Sequence, residues 1–191
     1  MVSWFAVFKY LHVAFAIVWL GGGLGLVILG ARAYRANNNA DFTQVLLNVV
    51  YMSTHVFIPS ALIALVFGIL SAWSGWSFDW LWIWLGLIGF AATFALGGLV
   101  LGPRSGKVSA LIAQGGVTPE VMKQGSEILK IAQFDMVLLF VVVADMVLKP
   151  GWANWITLIV MVLVLAGAGY YFLADILRPV IDAQMKAIRK T

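Results

Sequence analysis

The sequence reads as an all-α membrane protein, a bundle of five transmembrane helices with its N-terminus outside and its C-terminus cytoplasmic. Three observations carry that reading. Hydrophobic residues make up 63% of the 191 and charged residues only 10%, against about 45–50% and about 25% in soluble globular chains. The mean hydropathy is +1.00, and a soluble fold of this size lacks the interior to hide so much apolar surface. The apolar residues also fall into five continuous runs, each close to the roughly 20 residues that cross a hydrocarbon core. Continuous runs favour helices over an alternating barrel. The same numbers exclude disorder. The absence of cysteine excludes a disulfide scaffold, thiolate metal sites, iron–sulfur clusters and cysteine nucleophiles.

The first span runs over about residues 4–30. It is too long for a cleaved signal peptide and lacks both the basic leader and the small-residue cleavage site, so it is read as retained. Residues 35–43, with Asn37, Asn38 and Asn39, read as a polar linker. The second span covers about 49–73 and contains Pro59, and the third covers about 80–102. Residues 118–130 open on Thr-Pro-Glu, a helix start with proline at its first position. They are expected to run on as one helix into the fourth span, about 131–148. The fifth span covers about 155–177. No internal repeat stands out, and residues 1–191 read as a single integral membrane domain.

Charge sets the expected orientation. Arg32, Arg35, Arg104, Lys107, Lys123, Lys130, Arg178, Lys186, Arg189 and Lys190 fall on one side, and only Lys9 and Lys149 on the other. The positive-inside rule makes the first side cytoplasmic. Trp4, Trp73, Trp76, Trp80, Trp82, Trp152 and Trp155 gather near the opposite interface, where an indole belt is expected. The net charge of +4 thus borders apolar spans rather than a soluble basic face, and nucleic acid is not an expected partner.

Ionisable groups inside spans are costly and mark candidate sites. The chain has two histidines, His12 and His55, and both are in spans. His12, Ala16, Trp19 and Gly23 share one face of the first helix, a surface against which a flat macrocycle could lie. His55 enters the second span from the other side. The histidines are expected within about 10 Å of one another in depth at 1.5 Å per residue, which permits a shared axial pair on haem iron. The alternative is that both merely hydrogen-bond to carbonyls or water. Gly21 and Gly25 are expected to form a small-residue helix contact. Asp135 reads as solvated, or paired with Lys130 or Arg104. Asp145 reads as paired with Lys149 at the i+4 spacing. Met52 and His55, at i and i+3, make a soft-metal or His/Met site conceivable. Phosphate loops, nucleophile triads, zinc-ligand spacings and dinucleotide fingerprints are absent.

The run Lys9, His12, Trp19, Leu20, Gly21 and Gly22, closing with Arg32 and Arg35, resembles the first helix of a superfamily of small bacterial membrane proteins. Its members include HemJ-type protoporphyrinogen oxidases, CopD-type copper-resistance proteins and the DUF2269 family. Pro59, Gly68, Met146, Lys149 and Pro150 fit as well. The segment Trp80–Leu85 with Gly102-Pro103 looks most like DUF2269. The resemblance covers roughly residues 4–150. It implies that His12, matching the first-helix histidine of the HemJ type, is tied to haem b. HemJ-type proteins also use a lysine in the third span, where this chain has none and Trp84 stands nearest. Protoporphyrinogen oxidation is therefore not carried over.

The resulting expectation is a b-type haem protein of the bacterial cytoplasmic membrane with a redox or electron-transfer role. One haem would be held by His12 and His55 as metal ligands, with Trp19, Ala16 and Gly23 around it. A haem-dependent membrane oxidoreductase, exchanging electrons with a quinone or a partner protein and forming a homo-oligomer, is the activity this implies. No catalytic residue is identified. Two other readings stand beside it: a transporter or copper-handling protein of the CopD kind, which would carry more methionine and histidine near the outer face, and a non-catalytic accessory subunit.

Overall fold

The computed structural model describes residues 3–188, all of its regular structure helical. Helix α1 is Trp4–Arg35, capped by Ser3, whose side chain accepts from the Ala6 amide. Arg32 and Arg35 lie in its last turn, where positive charge complements the helix dipole. The expected polar linker is mostly helix. Only Ala36–Asn38 turn, with Asn37 in the left-handed region (φ 52°). Asn38 then accepts from the Asp41 amide and starts α2. Asparagine and aspartate look like loop residues in a sequence because they compete for backbone groups, and the same competition makes them helix caps.

Helix α2, Asn39–Gly75, and helix α3, Leu81–Gly115, are continuous over 37 and 35 residues. Each contains one π-helical segment, Ser53–Phe57 in α2 and Leu96–Leu101 in α3. The Ile58 amide donates to the Ser53 carbonyl, and the Gly102 amide to the Gly97 carbonyl, five residues back. In both cases a proline follows at once, Pro59 and Pro103. Proline cannot donate, and its ring crowds the carbonyl four residues earlier. Widening the preceding turn relieves that crowding, as proline in membrane helices commonly requires. The third helix therefore does not stop near residue 102 as expected but continues to Gly115.

Helix α4, Pro119–Leu148, starts at Thr118, whose hydroxyl accepts from the Val121 amide, and runs unbroken through the fourth span as expected. Lys149, in the left-handed conformation (φ 48°), ends it. Helix α5 is Trp155–Ile188. All five helices are long and apolar enough to cross a membrane, so the chain is a multi-pass integral membrane protein. Successive helices run in opposite directions, which brings Trp4, Trp73, Trp80 and Trp152 to one end. Arg32, Arg104 and Arg178 lie at the other. Arg189, Lys190 and the side chain of Lys186 lie outside the described residues.

Two packed clusters hold the first four helices together. At the basic end Ala33, Phe42, Leu46, Val108, Val121 and Ile128 pack. At the tryptophan end Ala72, Trp82 and Ile83 pack, with Trp76 and Met146 against them. Helix α5 docks chiefly on α4.

Candidate functional site

The face of α1 that carries His12, Ala16, Trp19 and Gly23 does turn inward, but its members meet three different helices. His12 packs on α2. Its Nδ1 lies 2.7 Å from the Ala64 carbonyl oxygen, and a Cβ at Gly68 would sit 2.8 Å from the same nitrogen. Ala16 is half-buried. Trp19 meets Phe90 of α3 edge-on, with ring centroids 5.7 Å apart. Gly23 receives the methyl end of Met136 from α4. Gly21 and Gly25 have no neighbour within 4 Å where a Cβ would stand, whereas Gly22 meets Phe57 and Gly30 meets Leu129 and Val45. The expected Gly21–Gly25 contact is therefore displaced to Gly22, Gly23 and Gly30, because the first two point away from the bundle.

The structure does not bring His55 to His12. The His55 ring stacks on Tyr51 at 4.3 Å and its Nδ1 lies 3.0 Å from the Tyr51 carbonyl oxygen, on an exposed side of α2. His12 meets α2 at Ala64 and Gly68, nine and thirteen residues further on, which is about 13–20 Å along the axis at 1.5 Å per residue. Counted from the tryptophan end, His12 lies eight residues into α1 and His55 twenty residues into α2, so the expected closeness in depth does not arise. Met52 and His55 also diverge, since the Met52 methyl reaches towards Gly22 of α1.

Between the two packed clusters lies a chamber of ≈ 450 Å³ walled by α1, α2, α3 and α4. It begins at Trp19 and Gly23 and reaches Phe42, Leu46 and Ile128 of the basic-end cluster. Both widened turns face it: Ser53, Phe57 and Ile58 on one side, and Gly97, Gly98, Leu101, Gly102 and Pro103 on the other. Such turns recur at functional sites in helices. The wall is apolar apart from Ser53, Thr93 and Asp135.

Asp135 corrects the sequence expectation. It is 7% exposed and has no cation beside it, and its Oδ1 has no hydrogen-bond partner; Thr93, 2% exposed, lies beside the carboxyl. The two candidate partners are engaged elsewhere, Lys130 with Asp175 at 3.2 Å and Arg104 with Glu127 at 3.3 Å. Asp135 stands five residues beyond Lys130 on α4, about 7.5 Å along the axis and about 140° around it, so the two side chains leave different faces of the helix.

Asp145 likewise does not pair with Lys149. It is buried, both its oxygens are unpartnered, and it lies beside Gly86 of α3. The left-handed turn at Lys149 swings the ammonium over Trp76, 4.0 Å from the ring centroid, with Trp82 at 5.5 Å. A cation over an indole face is worth about 0.5–2 kcal/mol, and here it replaces the expected ion pair.

Thr93 and the widened turns are absent from the sequence-level site. The glycines Gly97, Gly98 and Gly102 before Pro103 are the signal that could have pointed to the second of those turns.

Among known protein families, residues 6–150 match one described as a predicted integral membrane protein, DUF2269. The match takes in α1 to α4 and ends before α5. No curated protein and no solved structure matches the chain.

Proposed function

The chain belongs to the DUF2269 family of integral membrane proteins, and from that premise we propose that it is a membrane-embedded b-type haem protein with a redox role, holding one haem on His12. One observation supports this above the others. A carbonyl oxygen only accepts, so the 2.7 Å contact with Ala64 puts the proton on His12 Nδ1 and leaves the lone pair on Nε2. Metal-binding histidines adopt this arrangement, with the second ring nitrogen tied to a carbonyl that fixes tautomer and orientation. Gly68 leaves the ring its space. The HemJ-type resemblance at His12 points the same way.

His12 alone would hold the group, since His55 lies on an exposed side of α2 away from it, and the reading drops His55 as a ligand. Bound haem would supply one-electron chemistry, with a quinone or partner protein as the exchange partner. The chain's own part is to hold the ring nitrogen in place and to keep water out with apolar side chains. The proposal includes a bacterial cytoplasmic membrane with the tryptophan-rich end outside.

An absorption spectrum of the detergent-purified protein, before and after dithionite, tests the reading. A Soret band that shifts on reduction is expected, lost in His12→Ala and kept in His55→Ala. A colourless protein that takes up no added haem overturns it, and so does a His12→Ala variant with the wild-type spectrum.

The chamber favours a second reading, a carrier for an organic guest. A copper-handling role of the CopD kind draws less support. Among the described residues no three histidine, aspartate or glutamate side chains gather at metal-binding spacing, and Met52 and His55 face apart.

A further inference from the structure

We propose that the chamber is a binding site for a lipophilic amine: a protonated amino head held by Asp135 and Thr93, and an apolar body filling the space between the two widened turns. The proposal does not depend on haem at His12.

The polar end of the chamber has more acceptors than donors. Asp135 Oδ1 is buried without a hydrogen-bond partner, Thr93 lies beside the carboxyl, and both face the same space. A carboxylate brings acceptors only, and the threonine hydroxyl brings a single proton to share. Among the described residues, no lysine, arginine or histidine lines the chamber. A buried carboxylate with no cation beside it is costly, so a charge of this kind is expected to be matched. An ammonium group provides three donors and the opposite charge in one head. A hydroxyl provides one donor and no charge, and a carboxylate provides neither.

The rest of the chamber suits an apolar body. Its volume of ≈ 450 Å³ falls within the range of small-molecule sites, which are apolar clefts with a few convergent polar groups. Access is from the side. Helices α2 and α3 meet at Ala72, Trp82 and Ile83 near the tryptophan end. Further along, at the level of the widened turns, Ile58 and Phe94 line the chamber yet remain 43% and 39% exposed. A guest dissolved in the bilayer can enter between them without passing through water.

The test uses the full chain reconstituted in phosphatidylcholine vesicles, with decylamine carrying a diazirine at the tail as photolabel. Adducts are mapped by mass spectrometry. Labelling is expected on chamber residues of α2 and α3, such as Val49 and Leu101. Unlabelled decylamine should compete at least about tenfold better than decanol, and decanoate should not compete, as a charge-assisted hydrogen bond requires. Asp135→Asn should cut chamber labelling about tenfold while leaving labelling of lipid-facing α5 unchanged. If Asp135→Asn does not accumulate, the order of competitors in the natural chain decides. Labelling confined to lipid-facing positions, or equal competition by the three head groups, overturns the proposal. Preferential competition by decanol overturns it too, because a neutral donor would then be the guest. The haem spectrum is read on the same preparation, so the two proposals stand or fall separately.

Discussion

Single contacts decide how α1 and α2 meet. The Ala64 carbonyl is already bonded within α2, yet it also takes the His12 proton, and the imidazole reaches it only because residue 68 has no side chain. Gly68→Ala would put a methyl group 2.8 Å from Nδ1. The ring must then rotate away or the helices must separate, and overpacking of this kind costs about 1–3 kcal/mol. Gly21, in the same helix as His12, has open space around it. Gly21→Ala should be neutral, or stabilising by up to about 1 kcal/mol, because alanine is the better helix residue. Thermal unfolding of the two variants in detergent checks the pair. A melting temperature for Gly68→Ala equal to that of Gly21→Ala would mean that His12 does not dock on α2 in this way. The haem proposal adds a spectroscopic readout, since Gly68→Ala should weaken haem retention and Gly21→Ala should not.

The widened turns show how a helix can yield locally and still continue. Pro103 costs α3 a hydrogen bond, but the six-residue π segment before it keeps the helix whole, and its Gly97 and Gly98 line the chamber. Pro103→Ala removes the reason for widening. A proline in a helix interior costs about 3 kcal/mol, part of which the π turn already relieves, so the variant should be more stable by about 1–2 kcal/mol. A regular helix should also narrow the chamber, so photolabelling by the decylamine probe should fall. Higher stability with undiminished labelling would show that the proline is not what keeps the chamber open. This is also where sequence reading reaches its limit. Spans, caps such as Thr118, and the continuity of α4 follow from composition and local chemistry, and they were legible. Asp135 was not. Its burial depends on where α4 begins relative to its neighbours, and on Lys130 and Arg104 being drawn to Asp175 and Glu127 instead. Both are facts of packing between helices that no single helix encodes. The His12–His55 separation escaped for the same reason, since the relative depth of α1 and α2 is set where they pack, at His12, Ala64 and Gly68.

At the scale of the molecule, the end that faces the cytoplasm decides on which side each site lies. His12 docks on α2 nearer the tryptophan-rich end, while the chamber reaches the basic-end cluster through Phe42, Leu46 and Ile128. If the positive-inside rule holds, the histidine site lies towards the outer leaflet and the chamber towards the inner one, so a redox partner and an amine guest would be met at different depths of the membrane. The rule has strong purchase here, since ten of the twelve lysines and arginines fall on one side of the predicted spans. Because the chain has no cysteine, a single introduced thiol reports without background. Ala153→Cys, exposed in the turn before α5, and Gln114→Cys, exposed at the end of α3, lie at opposite ends. In intact cells a membrane-impermeant maleimide should label Ala153→Cys at once and Gln114→Cys only after permeabilisation. The reverse pattern would invert both site assignments. It would also mean that something other than loop charge orients the chain, with Lys9 and Lys149, the two basic residues at the tryptophan end, as the first positions to test. Labelling of both thiols in intact cells would indicate insertion in two orientations, in which case neither site has a fixed side and the partners must come from within the membrane.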